Sequence, residues 1–179
     1  MTALAGVRER RLHVVQGGNA VSADADVCLT TILGSCVAAC LWDPVAGIGG
    51  MNHFLLPSAP DGASTDKRYG VQAMELLINA LLARGARRDR LRAKVFGGGR
   101  MNTGMADIGG RNAIFVRKFL KDEDIVIEGE SLGGDGARRV QFWPVSGRAR
   151  QHIVDASGIA DSERSLGVPA SKTGDLELF

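Results

Sequence analysis

Apolar and polar positions alternate in segments along this chain, and the period changes from segment to segment. Val27 to Leu33 (Val-Cys-Leu-Thr-Thr-Ile-Leu) is rich in β-formers, with Val27, Leu29, Thr31 and Leu33 on one side and Cys28, Thr30 and Ile32 on the other. Val37 to Trp42 is a short apolar run, Asp43-Pro44-Val45-Ala46 has turn chemistry, and Gly47 to Leu56 is apolar again, so an antiparallel hairpin is expected. From Tyr69 to Arg84 the period becomes helical, with Val71, Met74, Leu77, Ile78 and Leu81 forming a core stripe that stops at Gly85. Leu91 to Phe96 reads as a strand entering Gly97-Gly98-Gly99. Ile108 to Leu120, with Ile114, Phe115 and Phe119, reads as a second helix. Ile125–Ile127, Arg139–Trp143 and Gln151–Val154 read as further strands, with a turn from Pro144 to Gly147.

The hairpin carries the candidate chemistry. Cys36 follows Leu33-Gly34-Ser35, and His53 closes Gly49-Gly50-Met51-Asn52-His53. With the turn centred between Pro44 and Val45, Trp42 opposes Gly47, Cys40 opposes Gly49 and Cys36 opposes His53. Directly opposed residues share a face, with Cβ atoms about 4.5 to 5.5 Å apart, close enough for a thiol to pass its proton to an imidazole. The preceding strand offers a hydroxyl to orient the ring, as a triad's third member does. If the more apolar face is the core face, that hydroxyl is Thr30, although composition does not choose it over Thr31. Backbone N–H groups at Gly34, Ser35 and Cys36 are candidate donors to an oxyanion.

These residues resemble a known family, the chemotaxis receptor glutamine deamidases, CheD. The likeness runs through Thr30-Thr31-Ile32-Leu33-Gly34-Ser35-Cys36-Val37, Leu41-Trp42-Asp43-Pro44 and Gly49-Gly50-Met51-Asn52-His53-Phe54-Leu55-Leu56-Pro57. It continues more loosely through Tyr69-Gly70, Lys94-Val95-Phe96-Gly97-Gly98, Ile108-Gly109, Arg111-Asn112 and Leu132-Gly133-Gly134 with Arg139, covering most of residues 12 to 150. The resemblance places the catalytic cysteine, histidine and threonine on Cys36, His53 and Thr30. It implies a single α/β domain, a layered α/β/β sandwich of mostly antiparallel strands related to certain deamidating bacterial toxins. It also implies a receptor glutamine as substrate, hydrolysis of glutamyl methyl esters by the same acyl chemistry, and a CheC-type phosphatase as partner.

Composition narrows the setting. The 179 residues are 45% hydrophobic, enough for one sizeable core, and the net charge of +2 demands no polyanion. No stretch suits a signal peptide or a membrane span, so a cytoplasmic protein is expected, with no membrane insertion. The expected organisation is an N-terminal extension over 1–11, a deamidase domain over 12–154 and a flexible tail over 155–179 ending in Leu176-Glu177-Leu178-Phe179. Three cysteines without an export signal fit free thiols, with Cys28 and Cys40 as buried hydrophobes. His13 and His152 read as packed histidines.

Other chemistries fit less well. Cys36, Cys40 and His53 lack the second thiol pair of a structural zinc site, so no metal or other cofactor is expected. Gly97-Gly98-Gly99 is not followed by Gly-Lys-Ser/Thr and is no phosphate loop. The triplet instead lets backbone pass close to the site, with Gly97, Gly98 and Arg100 as candidate substrate contacts. The arginines at 84, 87, 88, 90 and 92 read as solvated surface or as attraction to an acidic protein. They lack the interleaved aromatics of a nucleic-acid face. A cysteine protease or transglutaminase would use the same thiol and histidine. A binding regulator of receptors and a phosphatase would need neither.

Overall fold

The computed structural model describes residues 8–57, 63–101 and 107–154. Among these residues nine strands form two sheets: β1 (Arg10–His13), β3 (Val27–Leu33), β8 (Ala137–Trp143) and β9 (Arg148–Val154) in the order β1-β3-β8-β9, and β2 (Asn19–Ser22), β5 (Ile48–Asn52), β4 (Val37–Asp43), β6 (Arg92–Gly97) and β7 (Val126–Leu132) in the order β2-β5-β4-β6-β7. Two helices, α1 (Ala63–Leu82) and α2 (Ile108–Asp122), pack on the five-stranded sheet. Among the described strands only β1 with β3 and β6 with β7 pair in parallel. The architecture is therefore the expected α/β/β sandwich of mostly antiparallel strands.

The central strand β4 is buried along its whole length because both of its faces are covered. Val37, Ala39 and Leu41 meet Met74, Leu77, Ile78 and Leu81 of α1 with Val116 and Leu120 of α2. On the opposite face Ala38, Cys40 and Trp42 meet Val27, Leu29, Leu33, Val140 and Phe142 of the other sheet. Two glycines let these layers close. A Cβ at Gly49 would overlap the Pro144 backbone, and one at Gly50 would overlap Ala20 and Leu77.

Several expectations are adjusted. Helix α1 begins six residues before Tyr69, and Gly85, with φ +100°, stops the chain just beyond it. Val71 is 41% exposed and does not belong to the core stripe, and Ile114 of α2 faces solvent. Strands β1 and β2 carry no clear alternation and were not anticipated. Strand β1 already starts at Arg10, inside the stretch read as an extension. His13 and His152 are exposed rather than packed. The C-terminal segment and its Leu-Glu-Leu-Phe end lie outside the described residues. Among the described residues no helix is long and apolar enough to cross a membrane.

The arginine run is mostly committed to internal partners rather than forming a free positive surface. Arg88 bridges Glu75 and Glu123, Arg90 pairs with Asp43, Arg87 with Asp89 and Arg92 with Glu128. Arg84 donates to the Val21 carbonyl. Asp43 is the organising member. Its Oδ1 accepts from Val45 and Ala46 N–H, and its Oδ2 accepts from Arg87 N–H and Arg90 Nε. Burial pushes this carboxyl up, but the N–H donors and Arg90 outweigh it and bring it down to about 2 from 3.8.

A carboxyl depressed on folding contributes stability above its unfolded pKa and loses it as pH falls towards its folded value. Asp43→Asn should therefore cost about 3 kcal/mol at pH 7, as expected when one partner of a buried pair is removed. Urea unfolding should show the gap from wild type narrowing between pH 4 and 2. A gap independent of pH would show that the carboxylate charge is not what holds the turn.

Candidate active site

Strand β3 ends at Leu33 and β4 begins at Val37, so Gly34, Ser35 and Cys36 form a sharp passage from one sheet to the other. Its three carbonyls are all held. Gly99 N–H donates to Gly34 O at 2.9 Å, Asn112 Nδ2 to Ser35 O at 2.8 Å, and Gly98 N–H to Cys36 O at 2.8 Å. In a trans peptide the N–H points opposite to the C=O. Holding Gly34 O thus aims the Ser35 N–H away from Gly99, and holding Ser35 O aims the Cys36 N–H away from Asn112. Among the described residues neither N–H donates to another backbone carbonyl, and that of Cys36 lies against its own sulfur.

The glycine triplet is what makes this passage possible. Gly97 has φ +109°, and any Cβ there would overlap the Cys36 carbonyl oxygen. Gly97 and Gly98 therefore shape the cysteine turn from beneath through backbone. Arg100 follows the triplet. It is exposed, lies 3.7 Å from Asp107, and lines a recess with Gly98, Gly110, Gly133, Gly134 and Asp135.

The hairpin register differs from the expected one by two residues. Trp42 pairs with Gly49, Cys40 with Met51 and Val37 with Phe54, which puts His53 across from Ala38 rather than Cys36. The cause is the turn. Asp43 pairs with Ile48 and the loop runs from Pro44 to Gly47, where φ is +64°. A shift of two preserves the face, so His53 and Cys36 still project into the layer between the sheets. Asn52 interrupts the ladder just before His53, accepting from Ala39 N–H through Oδ1 and donating to the Ala73 carbonyl through Nδ2.

The ring of His53 is held by Thr31, not Thr30. Thr31 Oγ1 lies 2.9 Å from Nδ1 and also donates to the Val14 carbonyl at 2.8 Å. The same carbonyl lies 3.3 Å from Nδ1. With the hydroxyl proton given to Val14, both neighbours of Nδ1 are acceptors, so Nδ1 carries the proton and Nε2 the lone pair. Nε2 is buried and has no hydrogen-bond partner among the described residues. Thr31 lies on the core face, as its alternation requires, and Thr30 is half-buried on the other. The choice of Thr30 assumed an imidazole outside the core, whereas His53 is itself 2% exposed.

Cys36 is fully buried, and its thiol donates to Gln16 Oε1 at 3.4 Å rather than to His53. Burial pushes the thiol up to about 11, against the lowering effect of its own N–H, and pushes His53 down to about 4, against the Val14 carbonyl. Both groups are neutral at pH 7. Cys28 and Cys40 are buried as expected, and burial raises both thiols. No cluster of metal-ligating side chains occurs among the described residues. Sequence reasoning missed Gln16, the Val14 carbonyl and the role of Asn112, whose contacts come from segments distant along the chain.

With this geometry in hand, comparison with known proteins is direct. The family model described as CheD chemotactic sensory transduction matches residues 55–152. A Caulobacter protein is 54% identical over 94% of this chain and 93% of its own, and an Agrobacterium fabrum protein is 53% identical over 95% and 97%. The chain belongs to the CheD family. A third relative, from Rhizobium leguminosarum, is 58% identical over 95% of this chain and 96% of its own, and all three carry the name "Probable chemoreceptor glutamine deamidase CheD". The CheD family model begins two residues beyond His53, whereas the relatives' alignments cover nearly the whole chain. Among solved structures, Bacillus licheniformis YfiH is similar at a TM-score of 0.43 and 14% identity, over 70% of this chain and 61% of its own.

The tautomer assignment is open to nitrogen NMR of the ring. Wild type should show a protonated Nδ1 and a bare Nε2 at pH 7. Thr31→Val should shift the Nδ1 resonance and cost about 1 to 2 kcal/mol of stability, while Thr30→Val leaves both nearly unchanged. A larger response from Thr30→Val would reverse the assignment.

Proposed function

We propose that this protein is a protein-glutamine deamidase of chemotaxis, converting glutamine side chains of chemoreceptor cytoplasmic helices to glutamate, with Cys36 as nucleophile and His53 as base. The observation that carries this reading is the buried Nε2 of His53, without a hydrogen-bond partner among the described residues, while Nδ1 on the far side of the ring faces Thr31 Oγ1 and the Val14 carbonyl. The names of the relatives support the substrate. The cytoplasm, where receptor methylation helices lie, is the setting in which it acts.

A primary carboxamide is a poor electrophile, and a neutral thiol is a poor nucleophile. The two deficits are met together when the substrate enters. The sulfur attacks the carboxamide carbon as its proton passes to Nε2, and the carbonyl oxygen becomes an oxyanion. The N–H groups of Ser35 and Cys36 receive that charge, each donor being worth about 100 to 1,000 fold in rate. The imidazolium returns its proton to the departing nitrogen, ammonia leaves, and a thioester remains. Water, deprotonated by the same Nε2, attacks the thioester carbonyl. The C–S bond breaks, the thiol is regenerated and glutamate is released. A glutamyl methyl ester would follow the same course with methanol as leaving group. Thr31 and the Val14 carbonyl take no part in bond exchange but stabilise the transient imidazolium through Nδ1–H.

A second reading is favoured by one observation, the complete burial of the thiol. In it the protein binds receptors and a CheC-type phosphatase without turnover. The two readings separate on a receptor cytoplasmic fragment assayed for ammonia and, by mass spectrometry, for the gain of about one mass unit at each converted glutamine. Cys36→Ala and His53→Ala should each abolish conversion with the fold retained, and Cys40→Ala should have little effect. Conversion surviving in Cys36→Ala would remove this residue as nucleophile.

The pH profile supplies an independent check. The free-enzyme kcat/KM reports the base in its resting environment. Because burial lowers His53 to about 4, Nε2 stays unprotonated through the neutral range and is lost only as pH falls through that value. The profile should be flat from pH 8 down to 5.5 and fall about tenfold per pH unit below 4. An acid limb near 6.5 would mean that the working ring is solvated.

A further inference from the structure

The thiol that the deamidase reading requires is hydrogen-bonded to a glutamine of its own chain. Gln16 Oε1 accepts from Cys36 Sγ at 3.4 Å, and the donor is fully buried beneath a half-buried side chain. A primary carboxamide thus rests where a substrate carboxamide would have to arrive. Gln16 makes no other side-chain hydrogen bond among the described residues, so its release breaks a single weak S–H···O interaction.

The backbone on either side of Gln16 is fixed. Val14 N–H donates to Thr30 O at 2.8 Å, Gly17 N–H to His53 O at 2.7 Å, and His53 N–H to Gly18 O at 3.1 Å. The Val14 carbonyl is engaged by Thr31 and by the His53 ring. Opening the loop would dismantle the support of the base. Exchange at the thiol is therefore left to rotation of the Gln16 side chain about its own torsions, which can swing the carboxamide to solvent without moving the strand ends.

We propose that Gln16 is an internal occupant of the carboxamide subsite, shielding Cys36 in the free protein and giving way to the incoming receptor glutamine. The inference rests on Cys36 being the nucleophile of a deamidase. In the resting arrangement the S–H proton is directed at Oε1 and not at Nε2 of His53, so the occupant holds the site without being turned over. Its displacement frees the sulfur to exchange its proton with the ring, which couples activation of the thiol to arrival of the substrate. An occupant of this kind lowers apparent affinity by the fraction of molecules in which the site is open.

The test is alkylation of Cys36 by iodoacetamide, itself a small primary carboxamide, followed by peptide mass spectrometry, with buried Cys40 in the same protein as the unreactive control. Gln16→Ala should label Cys36 about tenfold faster than wild type, with an unchanged circular dichroism spectrum. On a receptor fragment the same variant should lower KM by a similar factor at constant kcat. Gln16→Met, which keeps the length and removes the carboxamide, should label faster than wild type. Unchanged labelling in both variants, with ammonia release intact, would overturn the occupant and leave the deamidase standing. A fall in kcat at constant KM in Gln16→Ala would overturn it as well, by making Gln16 a participant in turnover. Faster labelling in a protein that converts no receptor glutamine would keep Gln16 as the shield of the thiol and overturn the deamidase reading instead.

Discussion

The hydrogen bond between Thr31 and His53 joins the two sheets at the point where the chemistry is gathered. Thr31 belongs to the four-stranded sheet, and His53 follows the last residue of β5 in the five-stranded one. The contact that fixes the ring tautomer is therefore also a contact that closes the sandwich. Its third member, the Val14 carbonyl, comes from the segment linking β1 to β2, one strand in each sheet. In the proposed mechanism, His53 has its working protonation state only when both layers are assembled around it. A partly folded chain presents a thiol and an imidazole, but not a base with its proton fixed on the far nitrogen.

Burial explains why the resting site is quiet. In a low-dielectric layer the separated thiolate and imidazolium cost more than the neutral pair, and the thiol is held up near 11 while the ring is held down near 4. A neutral, sealed sulfur is also a poor target for oxidants, which act on exposed thiolates. In the proposed mechanism, reactivity is conditional on a ligand that displaces the thiol's present partner and develops a charge that the N–H groups of Ser35 and Cys36 can receive.

Much of this was legible in the sequence because burial imposes periodicity. The two-sided burial of β4, the alternation in β3 and the stripe on α1 all announce themselves as apolar pattern. Strands β1 and β2 did not, both being only four residues long and β1 exposed throughout. The hairpin shows how a changed register can still preserve a shared face. Asp43 accepts two N–H groups of the loop through one oxygen, so the turn is longer than the Pro44-Val45 centre suggested, yet an even shift leaves Cys36 and His53 on one face. The threonine shows the reverse case, since alternation placed Thr31 correctly on the core side and only the location of the imidazole was misjudged. The arginine run lies largely at the surface, as read, but its pairing with Glu75, Glu123, Glu128 and Asp43 was not legible because those partners are near in space and far in sequence.

The glycines after β6 gain their meaning from the peptide planes above them. Gly98 and Gly99 donate upward to Cys36 and Gly34, and Asn112 donates to Ser35 between them, so three successive carbonyls are drawn to one side. Planarity then gives the N–H groups of Ser35 and Cys36 no choice but the other side. A side chain at Gly97 would have to push the Cys36 carbonyl away and tilt this array. Beside the expected substrate contact, the structure puts a requirement on the backbone of Gly97 and Gly98, which form the underside of the turn proposed to receive the oxyanion. Asn112 shows the same economy from the helical layer, because its buried side chain also accepts from Leu56 N–H and so ties α2, the cysteine turn and the segment following His53 to one amide.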